Sequence, residues 1–117
     1  MSTPSHAEFL CAAPVPEGAA VKVTCKDFDA LQPQGLVDEL FGFAADRGDH
    51  VLYLDLDEVE YMSSGMLGVM IVLDRKLRDV GGRLVLLNLN PGVYEVFHAT
   101  RFDDLLDCHR KPEAATA

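Results

Sequence analysis

Residues 51–89 read VLYLDLDEVEYMSSGMLGVMIVLDRKLRDVGGRLVLLNL, and three elements follow one another in them. Val51-Leu52-Tyr53-Leu54-Asp55-Leu56 is nearly all apolar, which predicts a central strand covered on both faces. Asp57 to Met62 reads as a connection, with Val59 and Tyr61 anchoring it inward. Ser63 or Ser64 is placed to cap a helix over about 65–79, and Gly81-Gly82 stops it. Arg83 to Leu89 is a second buried-type strand. Buried strands joined through a helix predict a parallel pair, because a parallel connection needs a crossover of that length.

The flanks extend the pattern. Glu8 to Ala13 reads as a short strand, 14–19 as a turn, and Val21 to Cys25 as a strand with one wet face. Leu36, Val37, Leu40, Phe41, Phe43 and Ala44 recur at helical spacing, so an amphipathic helix is expected over roughly 33–46, opened by Pro33 and ended near Gly48. Pro91 opens a short helix through about Phe97, and Phe102, Leu105 and Leu106 form a last strand or turn that seals the core. Residues 1–7 read as a flexible start, 8–109 as one domain and 110–117 as a polar tail. The fold class is α/β, with a four- to five-stranded mixed sheet and helices packed mainly on one face.

Composition narrows the function. The 117 residues carry 10 Lys plus Arg against 19 Asp plus Glu, a net charge of −9. Such a chain makes a poor partner for nucleic acid or an anionic membrane, both of which call for a basic patch. No apolar run approaches the ~20 residues of a membrane span. The N-terminus has no basic start and no apolar core of a secretory signal, so a cytoplasmic protein is expected. Cys11, Cys25 and Cys108 are an odd, widely spaced set that reads as reduced thiols. His6, His50, His98 and His109 lack metal-ligand spacing, and no nucleophile constellation or GxGxxG loop is present. No metal, no cofactor and no enzymatic activity are expected.

The start of the 65–79 helix holds the most information. The first N–H groups of a helix lack internal partners and carry partial positive charge. Ser63, Ser64 and Gly65 leave that end open to another backbone or to a phosphoryl group, although local sequence alone favours a plain Ser cap followed by a packing Gly. At 100° steps Met66, Val69, Met70, Leu73 and Leu77 form the core stripe. The opposite side gathers Ser64, Gly68, Ile71, Val72, Arg75 and Asp79. Ile71 and Val72 on an outward face suit either a second packing layer or a partner surface. Arg75, Lys76 and Arg78 complement the helix C-terminus, or face an acidic partner.

From Val21 to Asp107 the chain resembles the STAS domain, the fold of bacterial anti-sigma factor antagonists. The residues that carry the resemblance are Val59-Glu60-Tyr61-Met62-Ser63-Ser64-Gly65-Met66-Leu67-Gly68-Val69, then Lys76-Leu77 to Leu86, Asn88 to Pro91, Val93 to Phe97 and Arg101 to Asp107. The resemblance implies a regulatory protein that binds an anti-sigma factor or Ser/Thr kinase through the exposed end of this helix, as a monomer or weak dimer. Phosphorylation of a Ser or Thr at the helix start would switch binding off, and a phosphatase would restore it. A phosphoryl group puts about −1.5 to −2 charge into the contact surface. The implied partner-binding residues are Asp29, Ser63, Ser64, Gly65 and Gly68, joined by Ile71, Val72 and Arg75 on the outward face.

Aligned without gaps, Ser63 stands at the family's Asp, Ser64 at its first Ser, Gly65 at the phosphoacceptor and Met66 at the following Gly. The acceptor hydroxyl is absent in that register. A one-residue slip would make Ser64 the acceptor, but the extra residue rotates the following helix by ~100°. The chain is therefore either a binder insensitive to phosphorylation, or one in which Ser64, less readily Ser63, has taken the acceptor role. Two alternatives stand beside this reading. Asp55 and Asp57 at a strand end are compatible with a phospho-Asp receiver, which would also need an acidic pair after its first strand and a late Lys. A small-molecule sensor of nucleotides or lipids is the other.

Overall fold

Residues 10–28, 35–45 and 50–110 are described by a computed structural model. The strands are β1 (Leu10–Val15), β2 (Gly18–Val23), β3 (Val51–Asp55), β4 (Arg83–Leu89) and β5 (Asp107–Arg110). The helices are α1 (Leu36–Ala45), α2 (Ser64–Arg78) and α3 (Pro91–Ala99), with a 3-10 turn at Phe102–Asp104. The strands lie in the order β1-β2-β3-β4-β5. β1 and β2 form an antiparallel hairpin, and β2 through β5 run parallel. A phospho-Asp receiver requires the order 2-1-3-4-5 and no opening hairpin, so that alternative fails on topology.

Each crossover steps to the next strand in the same direction. Right-handed connections of this kind deliver α1, α2 and α3 to one face of the sheet. The burial pattern follows. Val21, Val23, Leu52, Leu54, Leu84 and Leu86, at alternate positions, are buried in the core with Leu36 and Leu40 of α1 and Met70, Leu73 and Leu77 of α2. Each such side chain contributes about 1.5–3 kcal/mol over its exposed state. The opposite face is covered unevenly. Val51 and Val85 are buried, whereas Tyr53 and Asp55 are only half-buried, so β3 is not sealed on both faces as its apolar run had suggested.

The strand at 83–89 has the predicted ends, and α2 begins and ends one residue earlier than its pattern indicated. Pro33 and Gly48, the expected limits of the first helix, lie outside the described residues, as does the expected flexible start at 1–7. The closing segment differs from expectation. Leu106 is buried and Phe102 packs on the core, but Leu105 points outward at 58% exposure. Arg101 at φ 64° and the 3-10 turn rotate Leu105 away, and the final strand starts only at Asp107.

Candidate functional site

The parallel strands β3 and β4 end side by side, and the chain from β3 to α2 is assembled over those ends. Asp55, the last residue of β3, accepts a bond from Asn88 Nδ2 at 3.1 Å and one from the Asp57 backbone N–H at 3.0 Å. Asn88 takes the left-handed conformation, φ 58°, a region Asn tolerates better than most residues, and here the β4–β5 register shifts. Asn90 then reaches across. Its Nδ2 donates to the carbonyls of Val59 at 2.6 Å and Asp57 at 3.1 Å. On the other flank, Glu60 and Tyr61 donate backbone N–H bonds to the Lys26 carbonyl, and Phe28 donates to the Tyr61 carbonyl at 2.8 Å. Leu56, Val59, Met62 and Phe28 fill the space beneath. The loop is thus tied to both neighbours and anchored by buried apolar side chains.

That frame sets the start of α2. Ser63 has extended backbone, φ −80° and ψ 164°, and stands at the N-cap. Its carbonyl accepts from the Met66 and Leu67 N–H groups, while its side chain makes no cap bond. The cap predicted for Ser63 is therefore one of position and backbone only. Ser64 is the first residue of the helix. Gly65 is exposed, and a Cβ built there would meet only Ser63 Oγ at an ordinary 3.7 Å. Open space lies over Gly68.

Tyr61 is the main departure at this site. It was expected to anchor the loop inward, but it is 56% exposed beside the helix start. Its backbone forms an isolated parallel bridge with Asp27, which turns the ring outward while Met62 takes the interior position. Sequence pattern missed this because a single bridge outside the sheet leaves no periodic trace. Along α2, Val72 is 54% exposed and Arg75 is exposed, as expected of an outward face. Ile71 is half-buried and packs on the core cluster, so it belongs to a packing layer more than to the surface. Lys76 pairs with Asp38 of α1 at 2.8 Å and sits 5.1 Å above the Phe41 ring, while Arg78 pairs with Asp74 at 2.7 Å. Two of the three clustered cations are thereby held within the domain. Asp29 lies outside the described residues.

His98 bonds Asp103 and His109 bonds Asp107, each on the exterior. The cysteines are free thiols: Cys11 is exposed and Cys25 buried, and burial beside Asp103 and Asp107 pushes the Cys108 thiol up to about 12. Among the described residues, no group of three or more His, Cys, Asp or Glu is arranged to hold a metal ion. No described helix is long and apolar enough to cross a membrane.

Comparison with known proteins gives a consistent set. The STAS domain family model matches residues 21–115. BtrV of Bordetella bronchiseptica, provisionally named an anti-sigma factor antagonist, is 39% identical over 72 residues, 62% of this chain and 62% of that protein. The anti-sigma-B factor antagonist of Listeria monocytogenes is 37% identical over 57 residues, 49% of this chain and 50% of that protein. The matched stretches span between half and 62% of these relatives. In three dimensions, an anti-sigma-factor antagonist (STAS) domain protein from Planctomyces limnophilus superposes with a TM-score of 0.67 at 15% identity, covering 86% of this chain and 89% of that one. The anti-sigma factor antagonist SpoIIAA in its unphosphorylated form gives 0.62 at 19% identity, covering 85% and 86%. At these identities the structural likeness speaks for the fold.

Proposed function

Because this chain belongs to the STAS domain family, we propose that it is a regulatory binding protein of the anti-sigma factor antagonist kind, which docks an anti-sigma factor or related Ser/Thr kinase through the start and outer face of α2. The observation that carries the reading is the helix start itself. Gly65 and Gly68 leave its backbone open to close approach, Tyr61 stands exposed beside it, and Val72 continues the apolar surface one turn on from Gly68. Tyr is enriched among residues that dominate binding energy, because it brings large area at low entropic cost. The names of the relatives support the class of partner. The protein acts in the cytoplasm by binding, without catalysis of its own.

In this reading Gly65 occupies the acceptor position, and the ordinary switch is lost. Ser64 is the remaining candidate for a phosphoryl group. The experiment is isothermal titration of the purified anti-sigma kinase encoded by the same organism into wild type, Val72→Glu and Tyr61→Ala. Val72 is the better probe than Ile71, since a charge at half-buried Ile71 would also disturb the core. Both substitutions are expected to weaken binding by tenfold or more, about 1.4 kcal/mol, with unchanged unfolding midpoints. Wild-type affinity in both variants would remove α2 from the interface.

A further inference from the structure

A cleft of about 520 Å³ lies at the opposite end of the sheet, where β3 and β4 begin. Its walls carry Glu17 from the β1–β2 turn, Tyr53 from β3, Arg78 from the end of α2 and Arg83 from the start of β4, with Gly81 and Gly82 between the last two. We propose that this cleft is a binding site for a small hydroxylated anion, a phosphate or carboxylate that also carries a hydroxyl group. The proposal does not rest on the partner surface at Ser63, which belongs to the other end of the strands.

The first argument is Asp74. Among the described residues it is the one charged residue that is buried, at 5% exposure. A buried carboxylate is costly unless fully paired. Asp74 is paired twice: Oδ1 accepts the Leu84 N–H at 3.0 Å, and Oδ2 accepts Arg78 Nε at 2.7 Å. Oδ1 thus ties α2 to the start of β4. Oδ2 adds a fixed guanidinium at the rim of the cleft, held through Nε. The second argument is Arg83, which is exposed and forms no ion pair among the described residues. Two guanidinium groups from adjacent elements thus border one concavity. Their planar donor forks match the oxygens of a carboxylate or phosphate.

The third argument concerns the other wall. Tyr53 donates its hydroxyl to Glu17 Oε2 at 3.0 Å, which fixes the carboxylate at the cleft. A carboxylate has further acceptor capacity, so it selects for a ligand that brings its own donor. An anion without a hydroxyl gains nothing from Glu17 and is repelled by it. Gly81, at φ +86°, has open space where a Cβ would stand, so the wall there is accessible main chain, whereas Gly82 lets the His50 backbone pack against it. The volume falls in the range of small-molecule sites, roughly 300–1,000 Å³.

The test is a titration of the isotopically labelled 117-residue chain with glycerol 3-phosphate and with sulfate, a divalent anion that carries no hydroxyl, followed by amide NMR shifts. Saturable shifts are expected at Gly81, Gly82 and Arg83 with a dissociation constant of about 1 mM or tighter, and none at Ser63 to Gly68. Glycerol 3-phosphate should bind more tightly than sulfate, and Glu17→Ala, which removes the acceptor, should erase that preference. Arg83→Gln, an exposed change that leaves the Asp74 pairing intact, should weaken both ligands about tenfold. No saturable shift with either ligand, or unchanged titration of Arg83→Gln, would overturn the site. Equal binding of the two anions by wild type would overturn the hydroxyl selection.

Discussion

Asn90 precedes α3 at its N-cap, yet its side chain makes no cap bond and instead spans two carbonyls of the loop before α2. Asn90→Ala therefore leaves helix capping alone and strips donors from the Asp57 and Val59 carbonyls. An unsatisfied buried acceptor costs about 1–3 kcal/mol, and that loss should appear in urea unfolding. Faster amide exchange at Glu60 and Tyr61 should accompany it, because their bonds to Lys26 depend on the same loop. A variant with unchanged urea midpoint would show that water replaces the Asn90 bonds without cost. Gly65 supports a second prediction. Its surroundings accept a Cβ, so Gly65→Ser should alter stability by no more than about 1 kcal/mol. Incubated with the partner kinase and ATP, that variant should gain a phosphoryl group at residue 65, whereas wild type should remain unmodified by mass spectrometry. Phosphate on Ser64 of wild type would mean that the acceptor has moved by one residue.

At the scale of elements, α3, the 3-10 turn and β5 are joined by a pH-dependent contact. His98 Nδ1 lies 2.9 Å from Asp103 Oδ2, and the ring stacks on Tyr94 with centroids 6.2 Å apart. Arg110 of β5 covers the same Tyr94 ring at 5.2 Å. The Asp103 hydrogen bond, then its charge, raise the His98 pKa above the ordinary 6.5, with Glu95 and Asp104 adding to the shift. A raised histidine pKa makes the folded state bind the proton more tightly than the unfolded chain. The resulting stability is fully present below pH 6.5 and fades as pH climbs through the folded value. An NMR titration of the His98 ring should place its midpoint above 6.5, and Asp103→Asn should bring it down. A midpoint that Asp103→Asn leaves in place would mean that the pair is not closed in solution. None of this was visible in the sequence, where His98 showed only that it lacks metal-ligand spacing with the other histidines. Helix α2 was legible because its burial is periodic, and strand β4 because it is a short apolar run bounded by Gly81-Gly82 and Asn90-Pro91. Tyr61 and Leu105 were misread for the opposite reason. Each lies in a short aperiodic stretch whose direction is set by one bridge or one positive φ. The Asn90 tie spans 31 and 33 residues and leaves no local sign at all.

For the whole molecule, the charge of −9 becomes specific once its cations are located. Lys22, Lys76 and Arg78 each pair with an acid of the same domain, and such pairs cancel. The field reaching a partner is therefore set by the excess of acids over cations. A partner with a basic docking face would be steered toward α2 faster than a neutral one, by an effect that salt screens over ~8 Å at physiological ionic strength. The association rate with the anti-sigma partner should fall about tenfold or more from low to high salt in stopped-flow measurements. The dissociation rate should change far less, because the proposed docking surface at exposed Tyr61 and Val72 is apolar. If the salt dependence fell on dissociation instead, charge would be holding the complex together, and the apolar helix face would lose its place as the main source of affinity.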